Sequence, residues 1–507
     1  MTAQPERSDV PLDEAIQPPE EERPPVSARS MMRNTAIAWA GEVIAKAASL
    51  AFFAVMARVL GGAGFGDFVF ALSLSSLLVL AAGLGTDSLL EREVARDPSR
   101  ARDYVSSITG LKAVTSVVLL GAVAIAVAVA DYPRDVRLAF YLIGAGVLLE
   151  HLSKTRYSAF VAFERMKHMS QSIVVQRILT AVVGTVLLLL GAGLVTASAV
   201  YLGGAVVGLA VSERSFRRMT RDDQVLARRS IPWGRLLRAG LPIGIASLLF
   251  TLLLKFDTVL LGLLTEGSDN AEVGYFGGAY RIVEATMFLV WYIGGAVMPW
   301  VARADDGVPG HVARGYELGL KAVTGLLLPL AVAFAVLAGP LVRLLYGEGY
   351  EPAVLPLQLL SAMTVLYGIN YMTSTFFVGR DRPDAFGWLL VVVVVQNVAF
   401  NLVLIPRYGA VGAAFNAALS GAVLAVLGFI KARSVLGRVR VFRALAGPLV
   451  AGAAMAGAMA VCARLPLVSI VLGAVVYVLA LVLVERVAFP EDFSRWRRAA
   501  GRRRTST

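Results

Sequence analysis

The ionisable residues of this chain that lie inside apolar stretches recur at helical spacing, and they are where its chemistry must sit. Glu42 and Lys46 fall four apart within 34–60, with Arg58 near the end of that stretch. Glu150, His151 and Lys154 fall within 136–160, Lys255 and Asp257 within 236–264, and Arg281 and Glu284 within 273–300. Arg177 lies in 169–191 and Lys321 in 315–339, and Gln396, Asn397 and Asn401 interrupt 384–405. A charge at mid-bilayer costs ~3 kcal/mol or more, so such residues face a partner or a wet cavity. Lysines and arginines in that cavity suit an anionic ligand, and carboxylates beside them can answer to protons or sodium.

Each of these residues also has a plainer role. Glu42 and Lys46 at i, i+4 can be an ion pair on one helix face. Lys255, Asp257, Arg281 and Glu284 share a similar depth and can be a buried salt-bridge cluster of little net stability. In that cluster Asp257 is expected to pair with Arg281, with Glu284 one turn deeper. Arg58, Arg177 and Lys321 can snorkel to a surface. His151 can be a packing residue, and Asn397 and Asn401 can join helices.

The elements that hold these residues are membrane helices. Of 507 residues 57% are hydrophobic and 17% charged, and the apolar runs reach the ~20 residues that cross a bilayer core. They lack period-two alternation, which argues against a membrane barrel. About fourteen spans are expected by length and breakers. The net charge of +12 falls mostly between spans, where it sets topology, so nucleic acid is not an expected partner. With the N-terminus cytosolic, Arg96, Arg100, Arg102, Arg217, Arg218, Arg433 and the tail arginines all fall on the inner side. Both termini are therefore expected in the cytosol.

Two stretches repeat each other without a gap. Residues 158–199 align with 374–415, bringing Ser158 to Ser374, Phe160 to Phe376, Gly193 to Gly409 and Ala197 to Ala413. Gly64-Phe65 and Gly274-Tyr275 form an earlier matching pair. Such duplication is typical of transporters, whose substrate path lies between the halves. The fold class expected is an all-α polytopic membrane protein, with two pseudo-symmetric six-helix lobes and two further helices. The division is a Pro/Glu-rich disordered tail at 1–30, an N-lobe at 31–234, a C-lobe at 235–440, helices thirteen and fourteen at 441–488, and a basic tail at 489–507. One cysteine, Cys462, and three histidines offer neither a disulfide nor a metal cluster. A nucleotide-binding Gly-rich loop with Lys and Ser/Thr is not found in the sequence. Energy must then come from an ion gradient, the membrane potential or substrate supply.

ARVLGGAGFGDFVFALSL at 57–74, KFDTVLLG at 255–262, VGYFGGAYRI at 273–282, LYGEGYEPAVLPLQLL at 345–360 and NLVLIPRYGAVGAAF at 401–415 resemble the polysaccharide flippases (Wzx type) of the multidrug/oligosaccharidyl-lipid/polysaccharide exporter superfamily. The resemblance spans nearly the whole chain. It implies two bundles that open alternately to either side of the cytoplasmic membrane. It implies no enzyme activity, and a lipid-linked oligosaccharide as substrate, usually on undecaprenyl pyrophosphate. Exopolysaccharide, capsule, O-antigen and teichoic-type glycans all fit.

In that setting the expected head-group contacts are Lys46, Arg58, Arg177, Lys255, Arg281 and Lys321. The expected coupling or gating residues are Glu42, Glu150, Asp257 and Glu284, and the expected sugar contacts are Asn397 and Asn401. Trp291, Tyr292 and Trp300 could stack on sugars or anchor at the interface. No catalytic residue, metal or cofactor is expected beyond proton or sodium coupling. The expected protein is a monomer whose partners are the bilayer, the lipid-linked glycan, and a polymerase or other assembly proteins. Three other readings stand beside this one: a peptidoglycan lipid-precursor flippase or a multidrug/cation antiporter on the same fold, a membrane glycan polymerase or ligase, and a scaffold.

Overall fold

The computed structural model describes residues 28–83, 85–129, 132–220, 230–265, 270–303, 311–380, 383–436, 439–462 and 465–488. Nearly all of them are helical. In chain order the helices are α1 (Ala28–Gly83), α2 (Thr86–Arg96), α3 (Ala101–Val129), α4 (Arg134–Ala162), α5 (Met166–Leu189), α6 (Leu194–Met219) and α7 (Trp233–Leu264). There follow α8 (Ala271–Arg303), α9 (His311–Val336), α10 (Ala338–Tyr346), α11 (Val354–Gly379), α12 (Pro383–Leu436), α13 (Val441–Val461) and α14 (Pro466–Ala488). Helix α1 begins inside the stretch expected to be disordered. The rest of that tail, the basic C-terminal tail and the side chains of Trp291, Tyr292 and Trp300 lie outside the described residues.

Among the described residues eleven helices are long and apolar enough to cross a membrane, and two of them are long enough to cross twice. Helix α1 has 56 residues and α12 has 54, each about 80 Å at 1.5 Å per residue, against a ~30 Å core. Each is two helical legs meeting at one non-helical glycine. Gly61 has φ 67° and ψ −175°, and Gly409 has φ 52° and ψ −131°. These combinations are essentially closed to residues bearing a Cβ. Two reversals, together with the 33-residue α8, make the architecture compatible with the fourteen spans expected.

The halves repeat in space. In the first, α1 packs on α5 and α4 on α6; in the second, α7 packs on α12 and α11 on α12. Gly193 precedes α6 as Gly409 precedes the second leg of α12, so the aligned glycines hold equivalent places. Helices α13 and α14 sit apart on α9, tied by the Tyr477 hydroxyl donating to Gly325 O at 2.9 Å.

The halves meet near Gly61. Arg58 donates to Leu345 O at 2.8 Å and to Leu344 O, carbonyls of the last turn of α10. Tyr350 donates to Gly61 O at 3.0 Å, and Asn270 donates to Asp67 Oδ1 at 2.7 Å. At the opposite edge Gly85 abuts the backbone of Gly240 and Gly244 on α7.

Candidate functional site

Between these contacts lies a cavity of about 340 Å³ lined from both halves. Helix α1 presents Glu42, Lys46, Ser49 and Phe53, a spacing that puts all four on one face. Glu150, Lys154 and Tyr157 of α4 do the same, joined by Gln176 and Arg177 of α5 and Tyr201 of α6. The second half supplies Lys255 from α7 and Arg281 and Glu284 from α8.

Five lysines and arginines (Lys46, Lys154, Arg177, Lys255, Arg281) face three glutamates (Glu42, Glu150, Glu284), so the lining carries a formal charge of +2. Glu284 joins the second-half cations: Lys255 Nζ lies 2.8 Å from one of its oxygens and Arg281 Nη1 lies 2.6 Å from the other. Arg281 also stacks 4.2 Å from the ring centroid of Phe53, across the boundary between halves. Lys255 lies 4.9 Å from that of Tyr280. In the first half Glu150 pairs with Arg177 at 3.2 Å and accepts from Gln176 at 2.5 Å. Glu42 and Lys46 both reach the cavity, but no ion pair of 4.0 Å or less joins them.

The structure thus gathers Glu42, Lys46, Glu150, Arg177, Lys255, Arg281 and Glu284 around one cavity and places five expected residues elsewhere. Arg58 closes the edge between halves through the carbonyls at the end of α10. Lys321 pairs with Glu485 of α14 at 2.5 Å, outside the cavity lining. Asp257 does not meet Arg281. It accepts from Asn397 at 3.0 Å and from Asn401 at 2.6 Å, and all three side chains are buried. Asn397 also donates to Ser420 at 3.1 Å, and Asn416 donates to Asn397 O at 2.8 Å. Asn397 and Asn401 therefore join α7 to both legs of α12 rather than face a sugar in the cavity.

The reason is geometric. Lys255 and Asp257 are two residues apart on α7, hence about 200° apart around it. One faces the cavity and the other faces α12.

Three features were missed in the sequence. Gln176 enters the cavity beside Arg177 of α5, and Tyr201 enters it from α6, where no site residue was expected. Lys112 of α3 is fully buried and paired with Asp87 of α2. Its signal was a lone cation within a long apolar run. His151 packs on Gly83 beside that pair, with its Nε2 buried and, among the described residues, without a hydrogen-bond partner.

The chain matches the model of a family described as "Polysaccharide biosynthesis protein" over residues 31–305. Among curated proteins it is 22% identical over 375 residues to the probable low-salt glycan biosynthesis flippase Agl15 of Haloferax volcanii, covering 73% of this chain and 77% of that one. It is 28% identical over 187 residues to the probable flippase AglR of the same organism, covering 36% and 38%. Among solved structures it resembles the lipid II flippase MurJ in an inward closed conformation, with TM-score 0.73, 12% identity and coverage of 90% and 99%. It also resembles an inward-facing multidrug resistance MATE family transporter, with TM-score 0.63, 20% identity and coverage of 80% and 98%. At these identities the structural likeness speaks to the fold alone.

Proposed function

Because the chain belongs to the polysaccharide biosynthesis protein family, we propose that it is a flippase that carries a lipid-linked oligosaccharide, on an undecaprenyl-pyrophosphate-type carrier, across the cytoplasmic membrane. The observation that carries this reading is the +2 cavity between the two halves. An anionic head group can enter it while its lipid tail stays in the bilayer. The halves, 31–234 and 235–440 with 441–488 appended, would rock about the cavity in alternating access. Arg58 and its α10 carbonyls then act as part of a gate. The sealed Asp257–Asn397–Asn401 cluster on α7 and α12 is the place for ion coupling, since protonating or desolvating one buried carboxylate changes how those helices bind each other. Both termini face the cytosol in this reading, and the exported glycan passes to a polymerase or other assembly proteins.

The same observation ranks the alternatives. A cation antiporter on this fold calls for an acidic cavity, whereas this lining is cationic. A peptidoglycan-precursor flippase shares both fold and charge and is separated by substrate.

The test is reconstitution in liposomes carrying a fluorescent lipid-linked oligosaccharide in both leaflets, with an impermeant quencher outside. The expected result is protein-dependent quenching beyond the outer-leaflet fraction, absent with a fluorescent organic cation. Movement of a peptidoglycan precursor but no oligosaccharide would move the assignment to that substrate. No movement of either, under imposed proton and sodium gradients, would overturn the proposal.

A further inference from the structure

The five cavity cations are not equivalent, and their partners sort them. Lys255 and Arg281 share Glu284, and each also lies against an aromatic ring. Arg177 is held by Glu150, which Gln176 holds in turn. These three are bound into the walls. Lys46 and Lys154 remain. Both line the cavity, and among the described residues neither has a carboxylate oxygen within 4.0 Å.

The α4 face makes the contrast local. Glu150, Lys154 and Tyr157 follow at i, i+4 and i+7. Glu150 is committed to α5, and the Tyr157 hydroxyl lies 3.1 Å from that of Ser172. Only the ammonium between them has no such commitment. On α1, Lys46 is within electrostatic reach of Lys255 and Glu284, yet Glu284 already spends both oxygens on other cations.

We propose that Lys46 and Lys154, both on the first half of the chain, are the direct ligands of the diphosphate. The Lys255–Glu284–Arg281 group is then a closed wall that shapes the potential without binding the head group. This rests on the reading of the protein as a flippase for lipid-linked diphosphates. The charge balance agrees, since a diphosphate linking lipid to sugar carries two negative charges at neutral pH, matching the cavity's +2. A phosphate arriving at Lys46 or Lys154 has no protein carboxylate to displace, whereas one arriving at Arg281 must first break a 2.6 Å ion pair. The ligand's charge would thus stay with one half while the other moves around it.

The experiment measures binding of farnesyl pyrophosphate, farnesyl monophosphate and farnesol to the full-length protein in zwitterionic nanodiscs. It compares wild type with Lys46→Gln, Lys154→Gln and Lys154→Arg. The wild type is expected to prefer the pyrophosphate. Each glutamine variant should weaken it roughly tenfold, the size of one lost charge-assisted hydrogen bond. Melting temperatures should not change, and Lys154→Arg should restore binding. If either glutamine variant binds like wild type, or if arginine fails to restore binding, the assignment of these two lysines falls while the flippase reading stands. If the wild type does not distinguish pyrophosphate from farnesol, the diphosphate substrate itself falls, and the inference with it.

Discussion

Replacing Glu284 by glutamine removes the one carboxylate that Lys255 and Arg281 share, at 2.8 and 2.6 Å. The three side chains are 23%, 22% and 15% exposed respectively, so solvent reaches them only through the cavity. Breaking a buried ion pair by removing one partner costs about 3–5 kcal/mol, because the remaining charge is left desolvated. Here two cations are stranded, but the cavity offers some water, which places the expected loss near ~3 kcal/mol. Mid-sized domains lose about 2–4 °C per kcal/mol and larger chains less, so a drop of roughly 5 °C is expected.

The assay is intrinsic-fluorescence melting of purified protein in detergent at neutral pH. The double variant Glu284→Gln/Lys255→Met removes one stranded cation and should recover much of the loss. The resulting cycle measures the coupling between the two sites. If Glu284→Gln melts with the wild type, or if the double variant melts at the sum of the single losses, Glu284 does not hold these cations together.

Two further predictions concern other features. Gly61→Ala would add a Cβ that meets nothing within 4 Å, so its cost is backbone strain alone, ~1–3 kcal/mol. Gly409→Ala carries the same strain and also meets the Glu272 carboxylate, which accepts from Ala410 N at 2.7 Å; it should therefore melt lower and yield less folded protein than Gly61→Ala. Glu91, on α2, accepts from Ser158 at 2.8 Å, and burial pushes its carboxyl above the usual glutamate range, offset only in part by that bond and by nearby Lys112. A raised carboxyl favours the folded state below its ordinary titration range and loses that advantage as pH rises through the shifted value. Glu91→Gln should accordingly raise the melting temperature at neutral pH, with the gain vanishing under acid conditions; a gain that grows on acidification would refute the sign.

The helical class, the repeated halves and most of the cavity residues were legible because bilayer thickness and desolvation act on sequence directly. A long apolar run must span, and a charge inside it must find a polar surface. Depth could be counted along each helix, which is why Lys255, Arg281 and Glu284 were rightly expected together. What could not be counted was rotation about the axis. Asp257 shares that depth but faces α12, and nothing local to KFDTVLLG distinguishes that face from the one Lys255 uses. Lys321 was similarly misplaced, because its partner Glu485 lies 164 residues away, on a helix outside the repeat. The reversals at Gly61 and Gly409 were visible as span boundaries, but not as single-residue turns within continuous helices.

Lys112 bears on how the protein is made. Helix α3 is otherwise highly apolar and only 17% of its most apolar window is buried, yet it carries a completely buried ammonium paired with Asp87. An isolated α3 entering lipid from the translocon would bring that charge unpaired, at ~3 kcal/mol or more. The cost disappears only when α2, made just before it, is alongside. The buried pair thereby ties α3 to α2, the helix that precedes it in the chain.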